Sequence, residues 1–481
     1  MARTRILFAS TLYGVATLAA ALDADCFDPA DRTILLTSNN AAVPETATPL
    51  ERMPGFERLR GRFDEVLSWN EAISPFHPGG WSPRPDDAPL WERHLRLLWG
   101  LGDDSVELVV ESIQVEPALA LVQIFTGAPV HVYADGLMSY GPTRNKLDLL
   151  VTTRIRRLLH LDLVPGLRPL LLSEHGVEPE IVPTEAFLAV LAELSEAADL
   201  PDLPGDPADT GVPADTGVPA DTGVPAGTGA PERPAGPALL LGQYLAALGI
   251  LTAEEEEHLH VRMLRGAVAL GHRSVVFKPH PTAPARWSRV LEKEAGELGV
   301  ELTVLETPVL AEVLYRRMRP ALVVGCFSTA LLTAAVLHRL PVARIGTEVL
   351  LERLSPYQNS NRVPVTVVHA MLPDLEAEDA QRAVADWSVP DAEAVAATLS
   401  PLVRAVGYCM QAQSYPHLRD SAVAYLRMNL DARTRVYFKR RRLTALALPG
   451  GVPAKLSGLP RNAAVRRVAR RARALKRAAF K

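Results

Sequence analysis

Apolar residues along this chain gather into short runs, each closed by Gly, Pro or small polar residues. Runs of that length bounded by turn signals read as buried strands, and the wider apolar spacing between them reads as helix. The pattern predicts strands at 6–9, 34–37, 63–69 and 106–110, and another from Val130 up to Asp135. After a gap it resumes at 238–241, 275–277, 302–305, 321–324 and 342–345. Helices are expected from about Val15, over 117–126, through Glu254 to His260 (with Glu254 to Glu257 as a solvated face), over 286–298 and 310–317, and opening at Ser328. Strands alternating with helices argue for a parallel, doubly wound sheet. The expectation is therefore an α/β protein of two Rossmann-like domains facing a central cleft.

The gap divides the two halves. Pro-Ala-Asp-Thr-Gly-Val repeats three times from Pro207 to Val224, and a decayed copy follows. A six-residue period of Pro, Gly and Asp has no apolar face to bury, so 201–237 reads as a disordered linker. The domain plan is 1–200 for the first half and 238–375 for the second. A helical closing segment, 376–430, and a basic tail, 431–481, complete it.

In an open α/β sheet, ligands bind beyond the carboxyl ends of the strands. Three strand ends there carry chemistry. Lys278-Pro279-His280-Pro281 puts a cation and an imidazole on a proline-stiffened turn, which suits a phosphate. Gly325 reads as a tight turn, after which Ser328 and Thr329 open a helix whose free N–H groups favour anions. Asp135-Gly136 leaves a carboxylate at the end of its strand. Each has a plainer structural reading: a polar loop exit, a helix cap, a turn aspartate. Strand order places Ser10, Thr11 and Asn70 around the same cleft as Asp135. Asn70 and Trp81 are weighed as sugar contacts against a structural amide and a core indole.

Together, Asp135-Gly136, His280-Pro281 and Ser328-Thr329 resemble, in order, the acidic-Gly, His-Pro and Ser-Ser/Thr motifs of bacterial sialyltransferases, and most of all the bacterial α-2,8-polysialyltransferase family. The likeness extends over roughly residues 3 to 370. It implies a two-domain GT-B-like glycosyltransferase that moves sialic acid from its cytidine monophosphate donor to a glycan hydroxyl, with inversion and without a metal or cofactor. It further implies Asp135 as base, His280 as the group at the leaving phosphate, and Lys278, Gly325, Ser328 and Thr329 around the donor. Ala134 departs from the pattern, since many relatives carry a second acid there. Two other readings stand beside this one. The first is a transferase or epimerase of the same architecture using another nucleotide sugar. The second is a non-catalytic glycan- or nucleotide-binding protein of surface-polysaccharide assembly.

Charge adds one more feature. The chain has 51 Lys/Arg and 55 Asp/Glu, a net charge of −4. Residues 431–481 hold sixteen Lys/Arg and one Asp. Such a segment suits an anionic membrane face, non-specific nucleic acid or a polyanionic glycan, or is simply a solvated tail. No base-reading motif is present, so no specific nucleic-acid partner is expected. Arg3 and Arg5 before Ile6-Leu7-Phe8-Ala9 imitate a signal peptide. The interruption by Ser10, Thr11, Tyr13 and Gly14 argues instead for a strand, a loop and a helix. Cys26, Cys326 and Cys409 have neither metal-site nor disulfide spacing. The expected location is cytoplasmic, with the tail allowing a peripheral position at the inner membrane face. Asp23-Ala24-Asp25 reads as surface rather than metal site, and His258 and His260, two apart on a helix, as no metal pair.

Overall fold

The computed structural model describes residues 2–197, 236–280, 286–305 and 307–452. The repeats at 207–230 and Pro281 lie outside them, as do residues 453–481. The first domain holds seven strands: β1 Arg3–Ala9, β2 Arg32–Thr37, β3 Glu65–Ser68, β4 Ser105–Glu111, β5 Val130–Ala134, β6 Ile155–His160 and β7 Pro179–Ile181. They form one sheet in the order β3-β2-β1-β4-β5-β6-β7, and every pairing is parallel. The second domain holds β8 Ala238–Leu241, β9 Ser274–Lys278, β10 Glu301–Val304, β11 Leu322–Gly325 and β12 Val342–Arg344. Their order is β10-β9-β8-β11-β12, again all parallel. Each sheet reverses its winding once, between β1 and β4 and between β8 and β11. Loops diverge at such a switch point and leave a crevice there.

The central strands are apolar on both faces because helices cover both, and Ile6, Leu7, Phe8 and Ala9 are all buried. The stretch that imitates a signal peptide thus forms an inner strand of the first sheet. Its helix starts earlier than expected. The Thr11 hydroxyl accepts from Gly14 N–H at 2.9 Å, so the helix runs Leu12–Asp23 and Leu12, Tyr13 and Gly14 belong to it rather than to a loop. Its buried alanines, Ala16 and Ala19 to Ala21, allow close packing.

Two segments join the domains. Helix Thr184–Ala197 packs on Leu12–Asp23 of its own domain and on Ala311–Met318 of the other. Beyond β12 the chain returns: Arg362–Met371 packs on the turn Leu137–Tyr140, and Ser400–Met410 reaches the loop at Leu170. The Tyr415 hydroxyl accepts from Thr143 N–H at 2.8 Å and lies 2.9 Å from the Leu170 carbonyl.

This return corrects the tail boundary at 431. Tyr437, Phe438 and Leu443 are buried. Lys439 Nζ donates to the Leu354 carbonyl at 2.7 Å, and Arg442 Nε to the Cys409 carbonyl at 2.6 Å. The first basic cluster is therefore folded structure as far as 452. No helix among the described residues is long and apolar enough to cross a membrane.

Candidate active site

The two switch points face each other across a cleft of about 490 Å3. Ser10 and Thr11 after β1 and Asp135-Gly136 after β5 line one side. Lys278 at the end of β9, with His280, Glu312, Ser328 and Thr329, lines the other. Residues from four expected loops thus meet in one space.

Asp135 is packed close beneath the start of helix Leu12–Asp23. A Cβ on Gly14 would lie 2.8 Å from the Tyr133 hydroxyl and 3.5 Å from Asp135 Oδ2. Only glycine lets the helix come down on this group. The same holds across the cleft, where a Cβ on Gly136 would lie 3.0 Å from Thr329 Oγ1. Thr329 Oγ1 accepts from Leu137 N–H at 3.4 Å, so this threonine ties the second domain to the loop that carries Asp135. Asp135 keeps an edge open to the cleft but is otherwise enclosed by protein. Burial, then repulsion from Glu111 and Glu312, pushes its pKa up to about 7.

The opposite wall gathers donors around one carboxylate, Glu312. His280 stacks on Tyr244, with ring centroids 4.2 Å apart. Tyr244 leads into a loop pinned by Glu256, whose carboxylate accepts from Leu245 N–H at 2.8 Å and Ala246 N–H at 2.7 Å. Glu256 is fully buried, which corrects the reading of Glu254 to Glu257 as one solvated face. Burial, helped by the charge of Lys278, lowers His280 to about 4, so the ring is neutral near pH 7 and has one N–H with which it can donate. Burial also lowers the pKa of Lys278, and Glu312 opposes that. Among the described residues no carboxylate forms an ion pair with Lys278. Ser328 caps helix Thr329–Leu332, its Oγ accepting from Ala330 N–H at 3.2 Å, and a π-helical turn Thr333–Leu337 continues it.

Several expected contacts sit elsewhere. Gly325 is the last residue of β11, behind the cleft wall, where a Cβ would meet the Leu331 side chain at 3.1 Å; it is a packing glycine, not a turn. Asn70 lies in a separate depression of about 560 Å3. Ser68 caps a short helix, Trp69–Ala72, and Asn70 on it clamps the backbone of Asn39 from both sides, at 2.8 and 3.0 Å. Trp81 packs among Trp69, Phe76 and Trp91. Ser10 and Thr11 do line the cleft, but their hydroxyls are engaged by Glu111 and Gly14. Asp23 is paired with Arg62 at the surface. His258 is exposed while His260 is buried, so the two face apart.

Three contributors escaped the sequence reading. Glu312 is 3% exposed, sits in the first turn of Ala311–Met318 and accepts from Thr333 Oγ1 at 2.7 Å. Burial raises its pKa. Nothing in its helical surroundings marked it. Tyr244 stands in a Gly-Gln-Tyr stretch after a strand, with no motif to mark it. Glu111 ends an apolar strand just as Asp135 follows one, and that shared signal could have found it.

The sequence matches the family model described as alpha-2,8-polysialyltransferase (POLYST) over residues 5–346. No curated protein matches the chain. Among solved structures, the GT-B domain of a sialyltransferase from Photobacterium damselae aligns at 10% identity and a TM-score of 0.38, covering 75% of this chain and 95% of that one. A UDP-GlcNAc 2-epimerase from Methanocaldococcus jannaschii aligns at 13% identity and a TM-score of 0.42, covering 83% and 99%.

Proposed function

This chain belongs to the alpha-2,8-polysialyltransferase family and is a glycosyltransferase, and on that premise we propose that the cleft between its sheets transfers sialic acid from a cytidine monophosphate donor to a glycan hydroxyl. One observation carries the reading. A carboxylate from one domain and a set of cationic and neutral donors from the other line a single cleft of about 490 Å3.

The chemistry follows from those two walls. The acceptor oxygen attacks the anomeric carbon from the face opposite the leaving group, which inverts it. The bond from that carbon to the phosphate oxygen breaks, and its electron pair leaves on cytidine monophosphate. The hydroxyl proton passes to Asp135. A carboxylate poised near neutral pH is both ionised often enough and basic enough to take it, and such catalysis contributes about 10²- to 10⁴-fold. The leaving phosphate gains charge, and donors aimed at it stabilise that change. Lys278, the neutral His280 ring and the Ser328 hydroxyl supply them. Thr329 adds a tether between the domains, which keeps base and donors in register. The scheme calls on no metal ion or cofactor.

The test is a thermal-shift titration with cytidine and uridine mono- and diphosphates. A ligand that binds only the folded state raises the melting temperature by mass action. Selective stabilisation by cytidine monophosphate is expected. Stabilisation by uridine diphosphate alone would overturn the donor.

The finer location rests on 453–481, where Lys455, Arg461, Arg466, Arg467, Arg470, Arg471, Arg473, Lys476, Arg477 and Lys481 stand without a single acid. That composition supports peripheral attachment to an anionic membrane face, at about 1 kcal/mol per cation near the surface. The full chain is expected to sediment with phosphatidylserine vesicles at low salt, and a chain ending at 452 to stay in the supernatant. Equal sedimentation of both sinks this placement.

A further inference from the structure

Beside Asp135 lies a second carboxylate that the scheme above leaves idle. Glu111 is the last residue of β4, the strand bonded to both β1 and β5. The parallel register sets it opposite Tyr133, two residues before Asp135. Its Oε2 accepts the Ser10 hydroxyl at 2.7 Å and the Ser10 N–H at 3.3 Å. The backbone then leaves through Ser112 and Ile113, both left-handed, with φ of 52° and 47°. Ile113 is β-branched and fully buried. A residue of that kind holds such a conformation only where its surroundings over-determine it. Both the side chain and the strand end of Glu111 are therefore fixed. Tyr133 completes the cluster but has no proton to offer, because its hydroxyl donates to the Phe8 carbonyl at 3.0 Å.

We propose that Glu111 is a positioning residue for the transfer: pinned by Ser10, it stays ionised beside Asp135 and so directs the acceptor's proton onto Asp135. This rests on the reading of Asp135 as the base. Two carboxylates enclosed in one water-poor site do not both ionise freely, and the proton goes to the one with fewer donors. Burial raises the pKa of Glu111, and the two hydrogen bonds that Ser10 gives it oppose that. Ala134 has no acid to give, and the neighbouring strand brings one instead.

Other groups face Asp135. Tyr13 comes from the helix above and Tyr133 from β5; burial holds both phenols protonated. Glu312 repels Asp135 from across the cleft, less strongly than Glu111, and Lys278 on the same wall offsets its charge. His280 on that wall is neutral. Glu111 is thus the strongest charge acting on the base.

The experiment is the pH profile of kcat/KM for transfer from the cytidine monophosphate donor to a sialylated acceptor. It compares the full chain with its E111Q, S10A and D135N variants. The unaltered chain is expected to lose activity on the acid side of pH 7. Removing the repelling charge makes Asp135 easier to ionise, so E111Q moves that limb down by about one pH unit. S10A leaves Glu111 in place but less charged, and moves the limb the same way by less. It also serves if E111Q fails to fold. Activity that falls by one factor at every pH, with the limb unmoved in both variants, overturns the proposal. D135N separates the two layers. A D135N variant that still transfers removes the base itself, whereas an inactive D135N with an unmoved E111Q limb removes only the role of Glu111.

Discussion

The wall of the cleft formed by the first domain carries Asp135 just past β5, with Glu111 at the end of the neighbouring β4 acting on it. The wall formed by the second ends β9 in Lys278 and follows it with His280, with Glu312 as its one carboxylate among the described lining residues. The frames behind them are alike: parallel sheets, each reversing once, each opening a crevice at the reversal. What differs is a handful of side chains at strand ends. On one side burial and like charges make a carboxylate basic. On the other, burial keeps a histidine neutral and weakens a lysine's hold on its proton. The same desolvation therefore prepares one wall to accept a proton and the other to donate hydrogen bonds. A fold repeated twice supplies the positions, and different side chains at them give the two walls different chemistry.

Breaking the first wall should have the largest effect. D135N is expected to lower kcat by about 10³-fold, within the range for a general base, while cytidine monophosphate still raises the melting temperature as in the unaltered chain. Equal loss of both would mean that Asp135 holds the site together rather than serving the reaction. The second wall should respond differently. H280A is expected to weaken cytidine monophosphate binding and to lower turnover as well, by about tenfold each, the loss of one hydrogen bond to a charged group. An unchanged affinity in a calorimetric titration would place His280 away from the phosphate.

The smallest effect concerns stability and sharpens the contrast. Asp135 titrates higher in the folded protein than in the unfolded chain, so the folded state binds the extra proton. Stability from this group is present at low pH and is lost as pH rises toward about 7. D135N carries no such burden. Its melting temperature is expected to exceed that of the unaltered chain by a few degrees at pH 8, with the difference closing toward pH 4. A difference independent of pH would show that Asp135 is not the burdened group.

Much of this was legible from strand ends. Asp135, Lys278, His280 and Ser328 were found because an apolar run, then a polar residue, then Gly or Pro marks the carboxyl edge of a parallel sheet. Glu111 carries half of that signal but is followed by Ser112 rather than glycine, and the residue that holds it, Ser10, comes from the loop after another strand. Asn70 was misplaced for the converse reason. Ser68 ends its strand early, and a bond to Asn39, 31 residues away, decides where the amide points. β6 and β7 were missed because Arg156 and Arg157 interrupt the first, where Arg157 pairs with Glu180, and the second is three residues long. The early tail boundary has the same origin. Lys439 and Arg442 look solvated in sequence, and only tertiary carbonyls reveal them as bonded.

The return of the last helices to the first domain has a consequence for biosynthesis. All seven strands of the first sheet are translated by residue 181. Yet the groups around Thr143 and Leu170 receive Tyr415 and Gly407 only some 240 residues later. Early domains fold as they emerge from the ribosome, so this one waits with part of its surface uncovered, and a messenger cut short before codon 400 yields a half that never receives its cover.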